Sequence, residues 1–376
     1  MSGEEKEEAA RRWRLVLGRY ANDSLPSGGF SAHDSAIEGS LSYLYDREYK
    51  SRGLRHGHGG GSEESAPAAL AWLARSRSLF PTSTFERMQS QAIEKYHVTE
   101  LLADEATVAA LAPTPELASA LLSVRGKLDA SLEAGLRTVI ARVVDEIVER
   151  VRPRFTAALT GQRNPVKRSP QKSSSNFNWQ ATIRANLANR DPETGNVYFD
   201  DLRFVSRRKR SVPWNIILCV DQSGSMADSV LYSAVCASIL AAMPSLSVKL
   251  ILFDTSVVDM SHIAHDPVSV LMTAQLGGGT DIAGALGFCE TLVTSPSRTV
   301  IALISDFEEG GSVSHLLATV GRLNESGVTL LGLAALDETA TPVFDTDVAR
   351  RLADRGMDVA ALTPEHFADW LAGVML

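Results

Sequence analysis

The chain has 376 residues, 44% apolar and 22% charged, which is the composition of a soluble globular protein with two or three folding units. Its first twenty residues mix charges of both signs without a continuous apolar run, and no stretch approaches the roughly 20 apolar residues of a membrane-crossing helix. This argues against a secretory leader or a membrane span. The net charge of −8 is uneven: residues 150–210 hold fourteen Lys or Arg against four acidic residues, and residues 211–376 hold six basic against nineteen acidic. Such an asymmetry suggests an interaction segment or intramolecular attraction, not a protein with general affinity for nucleic acid.

Residues 1–159 read as a mostly helical region. Trp13, Val16, Leu17 and Tyr20 have helical spacing, and Pro26 to Gly29 break it. The run His56-Gly-His58-Gly-Gly-Gly61 is a loop by composition; its histidines are possible metal ligands, but the glycines pre-organise nothing. Leu121, Leu122, Val124 and Leu128 lead into Leu132, Leu136, Val139, Ile140, Val143, Val144 and Ile147. These steps of three and four predict one long amphipathic helix that ends at Pro153.

Residues 160–176 are polar, basic and free of acid, the composition of a linker. Residues 177–211 form a lead-in: a helix from Trp179 to Leu187 with Thr182, Ile183 and Leu187 as candidate contacts, a turn over Asp191–Gly195, and short strands at Val197–Phe199 and Leu202–Phe204. The basic run Arg207 to Arg210 reads as a solvated edge or, alternatively, a contact for phosphate or an acidic partner.

From residue 212 to 376 the rhythm changes. Apolar strands at Asn215–Val220, Val248–Phe253, Thr299–Ile304, Val328–Leu333 and Val359–Leu362 alternate with helices near Ser229–Met243, Ile282–Leu292, Val313–Leu323, Val348–Ala353 and from Pro364 to the end. Near-continuous Val/Ile/Leu strands, each followed by a helix, predict an α/β fold with a doubly wound, mostly parallel, Rossmann-like sheet. The three cysteines, Cys219, Cys236 and Cys289, lie in apolar segments without CxxC spacing. They read as small buried side chains, not as a disulfide framework or zinc site, and the chain as cytoplasmic.

Three loops of this half carry chemistry. The first strand runs into Asp221-Gln-Ser223-Gly-Ser225, where alternate side chains can converge on one point as one carboxylate and two hydroxyls. Such hard oxygen donors suit Mg²⁺, or Mn²⁺ in its place. A Gly-rich loop brings Thr280 to the start of a helix, and another strand ends at Ser305-Asp306. In doubly wound sheets ligands gather at the carboxyl ends of the strands, where all five groups fall. A local alternative makes Ser223, Ser225 and Thr280 helix caps, but leaves Asp221 and Asp306 together unexplained. Asp281 reads as support for the first turn of its helix, Glu308 and Glu309 as a solvated acidic lip, with one of them alternatively an internal plug for the site, and His262 and His265 as loop residues.

DxSxS, then a Gly-rich turn bearing Thr, then an Asp closing the next core strand: this order resembles the metal-ion-dependent adhesion site of von Willebrand factor A domains, over about 212–376. The resemblance implies Ser223, Ser225 and Thr280 as direct or near-direct Mg²⁺ ligands. Asp221 and Asp306 would act mainly through bound water, and a partner's Asp or Glu would complete the shell. With the helical region, the basic linker and the NWQATIRANLANRDPETG segment, the whole chain resembles bacterial intracellular CoxE-like proteins. In that group the A domain works beside a MoxR-type AAA+ ATPase as adaptor or co-chaperone. The expectation is a binding protein and not an enzyme: no Walker A sequence is present, and Ser223 stands where haloacid-dehalogenase-type hydrolases carry a second Asp. A metal-dependent hydrolase or phosphoryl-transfer enzyme is one alternative, and a Ro-like RNA-binding factor, which also joins a helical array to an A domain, is another.

Overall fold

The computed structural model describes residues 3–18, 21, 24–25, 30–51, 65–127, 129, 132–159, 163–168, 172, 174, 177–189, 197–207, 214–336 and 344–375. The amino-terminal half is helical: α1 (Gly3–Leu17), α2 (Ala32–Ser51), α3 (Ala66–Leu79), α4 (Thr82–Glu94), α5 (Glu105–Ala110), α6 (Pro115–Val124) and α7 (Glu133–Leu159). The single long helix expected around residues 121–153 is two helices. Arg125–Lys127 form a tight 3₁₀ turn between α6 and α7. At its other end α7 continues through Pro153, because Val151, Phe155 and Leu159 on its buried face hold the last turns in place. Phe155 packs edge-to-face on Phe367, and this tertiary packing outweighs the hydrogen bond that proline removes. On α1, Trp13, Val16 and Leu17 are exposed, so its apolar spacing does not mark a core face.

Within the stretch read as a linker, β1 (Arg163–Arg168) pairs antiparallel with β2 (Val205–Arg207). The helix α8 (Trp179–Asn186) lies between them in sequence, and its amphipathicity is reversed. Thr182 and Asn186 are buried, whereas Trp179, Ile183 and Leu187 are 65%, 42% and 57% exposed. Of the expected contacts Thr182 is buried as expected, whereas Ile183 and Leu187 are not, and Asn186 takes their place. The cause is hydrogen bonding: Asn186 Nδ2 donates to the carbonyls of Thr182 and Asp201, and its Oδ1 accepts from the amides of Asp200 and Asp201. Val197 and Phe204 make only isolated bridges, and Leu202 lies outside any strand, so the two short strands expected there are replaced by β2. The His56–Gly61 run, the Asp191–Gly195 turn and most of the Arg207–Arg210 run lie outside the described residues.

The carboxy-terminal half is a mixed, mostly parallel six-stranded sheet: β3 (Trp214–Asp221), β4 (Leu246–Phe253), β5 (Val257–Asp259), β6 (Thr299–Ile304), β7 (Thr329–Leu336) and β8 (Asp358–Leu362). The order is β5-β4-β3-β6-β7-β8, with only β5 antiparallel. Helices α9 (Ala227–Ala241), α10 (Pro267–Thr273), α11 (Ile282–Thr291), α12 (Val313–Glu325), α13 (Thr346–Ala353) and α14 (Pro364–Met375) complete it. The chain leaves β3 toward β4, then crosses back to β6 on the other side of β3. That reversal opens a crevice beyond the carboxyl ends of β3 and β6.

Both sheet faces are covered. One packs on α11, α12 and α13 through residues such as Ile217, Ile301, Leu286 and Leu316. The other, with Ile216, Leu218 and Val220, belongs to an apolar core that continues through α9 into α7 and on to Leu73 and Ile93 of the helical half. Helix α9 is thus apolar on nearly every side, because it lies between the sheet and the helices. The three cysteines are fully buried and unpaired.

Candidate metal centre

The site starts from the register of β3 between β4 and β6. Asp221 ends β3 opposite Phe253, and Ile304 ends β6 opposite Val220, so the next residues of β3 and β6 emerge together at the crevice. Asp221 is fully buried. Its Oδ1 accepts from the Ser223 amide at 2.9 Å and its Oδ2 from the Ser305 hydroxyl at 2.8 Å. Ser225 donates its hydroxyl to Asp306 Oδ2 at 2.8 Å, and the Ser223 and Ser225 oxygens lie 3.3 Å apart. Asp221, Ser223, Ser225 and Asp306 therefore form one hydrogen-bonded cluster.

Neither serine caps a helix. Ser223 precedes the 3₁₀ turn Gly224–Met226 and makes no side-chain cap bond to it, and α9 has no side-chain cap. Burial pushes the Asp221 carboxyl above its usual range; the bonds from Ser223 and Ser305 oppose this, and the nearby Asp306 carboxylate adds to it. Among the described residues, no Lys, Arg or His forms an ion pair with Asp221 or Asp306. Two close carboxylates without a countercharge, bordered by two hydroxyls that do not cap a helix, fit a hard divalent cation.

Thr280 stands on the neighbouring loop. No hydrogen bond links it directly to the two serines; its backbone carbonyl accepts from the Gly310 amide at 2.9 Å, which ties its loop to the one after Asp306. Gly310 allows this approach, since a Cβ there would lie 2.7 Å from the Thr280 carbonyl oxygen. The cap of α11 is Asp281, whose side chain accepts from the Gly284 amide at 2.8 Å, in line with the support expected of it. The capping alternative for Thr280 is thereby removed.

Four residues had no sequence reading that matches their place. Ser305 anchors Asp221 and also accepts from the Phe307 amide at 3.1 Å. Gln222, nearly fully buried, donates to Asp254 Oδ2 at 3.2 Å. Its side-chain and backbone oxygens accept from the amides of Gln275 and Gly277, and Asp254 accepts the Asp281 amide on its carbonyl. Gln222 and Asp254 thus hold the Thr280 loop against the end of β3. Glu309 is no solvated lip: its Oε2 accepts from the Ile282 and Ala283 amides and its Oε1 from Gly311, so it closes the start of α11 beside Asp281. Glu308 is exposed, as expected. Between Asp306 and these glutamates, Phe307 has a φ of 61°, a conformation rarely adopted by bulky side chains. It is fully buried and packs edge-to-face on Phe344, which retains the turn that carries the chain away from Asp306.

The family profile described as "VWA domain containing CoxE-like protein" matches residues 147–371. An Escherichia coli K12 protein, "Uncharacterized protein YehP", is 40% identical over 365 residues, covering 96% of this chain and 95% of its own. Among solved structures, an aerotolerance-related membrane protein from Bacteroides fragilis is 15% identical at a TM-score of 0.33, over 43% of this chain and 96% of its own. The PilB minor pilin of Streptococcus sanguinis is 11% identical at a TM-score of 0.34, over 50% of this chain and 72% of its own. From the family match and its near full-length relative, the chain belongs to the CoxE-like family of von Willebrand factor A domain proteins.

Proposed function

We propose that this protein is a metal-dependent protein-binding adaptor whose site takes Mg²⁺ and captures an Asp or Glu side chain of a partner. The observation that carries this is the pair Asp221 and Asp306, close together, without a basic neighbour among the described residues, and bordered by serine hydroxyls that cap nothing. Ser223, Ser225 and Thr280 would hold the ion directly. Asp221, whose oxygens already accept from Ser223 and Ser305, would hold it through water together with Asp306. When bound, the ion supplies a Lewis-acidic position for a partner's carboxylate. Buried Asp221 keeps Ser223 in place, and Ser305 keeps Asp221 in place, so the donors stand ready before any ligand arrives.

Family membership supports a MoxR-type AAA+ ATPase, or its client, as the partner. Calorimetric titration of MgCl₂ into the wild type and Ser223→Ala tests the site, with binding expected only in the wild type. Equal heats would remove its basis. Affinity purification from the native source, with Mg²⁺ or EDTA and with Asp221→Ala as control, tests the partner. A bound AAA+ ATPase or client that is lost in EDTA and in the variant is expected; no such difference counts against the adaptor role.

A further inference from the structure

One short helix, α6, ties the helical half to both walls of the metal site. On one side, Ser119 in α6 donates to the Asp228 carboxylate, three residues after Ser225 in the first turn of α9. On the other, Arg125 at the end of α6 aims its guanidinium at the end of α10. Its Nη1 donates to the carbonyls of Leu271 at 3.2 Å and Ala274 at 2.8 Å. The very next amide, Gln275, donates to Gln222 Oε1, and Gly277 follows onto the Gln222 carbonyl. Gly277 and Gly278 then take positive φ angles of 123° and 102°, and the chain arrives at Thr280. A third tie, Arg137 of α7 to Ser269 at 3.2 Å, fixes the start of α10.

We propose that Arg125 is a positioning residue for the metal site, a strut through which the helical half sets where the Thr280 loop stands. This rests on the Mg²⁺ reading given above. Charge-assisted bonds to main-chain carbonyls are strong and directional. These two are placed where α10 gives way to a loop whose glycines offer little stiffness of their own. Gln222 holds the loop from the sheet side and Arg125 from the helical side. A displacement of α6 is transmitted to the Thr280 loop through Arg125 and to the turn after Ser225 through Ser119. By linkage, a partner whose docking moves α6 would change cation affinity, and the cation would change affinity for that partner by the same factor.

Residue-resolved amide hydrogen exchange on the full-length chain, in EDTA and in MgCl₂, tests this. Arg125→Ala is expected to speed exchange at Gln275 and Gly277 by at least about tenfold, with β3 amides unchanged, and to weaken Mg²⁺ binding several-fold. Arg125→Lys, which retains one charged donor, restores part of both effects. Wild-type exchange at Gln275 and Gly277 in a folded Arg125→Ala protein overturns the strut. If Arg125→Ala does not fold, the comparison passes to Arg125→Lys and Arg125→Gln in EDTA. Faster exchange in Gln than in Lys supports the strut, and equal, wild-type rates in both overturn it. Absence of Mg²⁺ binding by the wild type refutes the metal reading instead, and the EDTA exchange rates still decide whether Arg125 holds the loop.

Discussion

Replacing Asp221 with Asn and with Ala should move stability in different ways, and the contrast tests the chemistry of the site. Asp221 is a buried carboxylate near a second carboxylate, held by the Ser223 amide and the Ser305 hydroxyl. Asp221→Ala leaves those two donors without an acceptor, at about 1–3 kcal/mol each, so a loss of about 2–6 kcal/mol is expected. Asp221→Asn keeps an oxygen for the Ser223 amide and removes the buried charge. Its amide group can donate to Ser305 Oγ, although the displaced hydroxyl proton must find another acceptor. In EDTA at neutral pH, Asn should therefore match the wild type or exceed it by about 1 kcal/mol. The pH dependence follows from the raised carboxyl pKa: the folded state is penalised above that pKa and relieved as pH falls through it. Any advantage of Asp221→Asn thus shrinks on acidification. Added Mg²⁺ should stabilise only the wild type, by about 2.7 kcal/mol at a hundredfold excess over its Kd. Urea unfolding followed by circular dichroism, with EDTA or MgCl₂, reads all of these. An Asn variant as unstable as Ala would refute the buried-charge argument, and one that still responds to Mg²⁺ would refute the role of Asp221 in metal binding.

Glu309→Ala removes the acceptor of two α11 amides and should cost about 1–2 kcal/mol, whereas exposed Glu308→Ala should stay within about 0.5 kcal/mol; chemical denaturation of both variants compares them. Asn186→Ala strips the partners from two amides and two carbonyls around α8, and should cost about 2–4 kcal/mol locally. Limited proteolysis should then cut within 177–204 faster than in the wild type, while Trp179→Ala leaves the cutting rate unchanged; equal rates in all three would contradict the hub role of Asn186.

The parallel strands of the sheet were legible because burial on both faces writes itself as unbroken apolar runs, as in Thr299–Ile304, where expected and observed bounds coincide. The short strands β1, β2 and β5 carry no such run and were not legible. Asp221, Ser223, Ser225 and Asp306 could be picked out as candidates because they follow the ends of such runs, whereas Thr280 stands in the Gly-rich loop before α11. Their supports could not be picked out. Gln222 meets Asp254 only because β3 and β4 pair in a register that places Asp221 opposite Phe253, and nothing local encodes that. Glu308 and Glu309 look alike in sequence, and only the approach of α11 separates them. Pro153 and α8 show the other limit. Both break a local rule, and both are held by partners distant in sequence: Phe367 against the continued α7, and the 200–203 backbone against Asn186 and Thr182.

The two-sided burial of α9 bears on what can be cut from this protein. Although residues 224–241 form no unbroken apolar run, their length and mean hydropathy match those of a membrane-crossing helix, and 78% of that stretch is hidden inside the molecule. A fragment starting at residue 212 would keep every candidate metal ligand and lose α6 and α7, which cover the outer side of α9. What remains would present a greasy helix to water, and bilayers, detergent or other copies would compete to cover it. The shortest stretch of sequence that carries the motif is therefore not the shortest that can be handled as a protein.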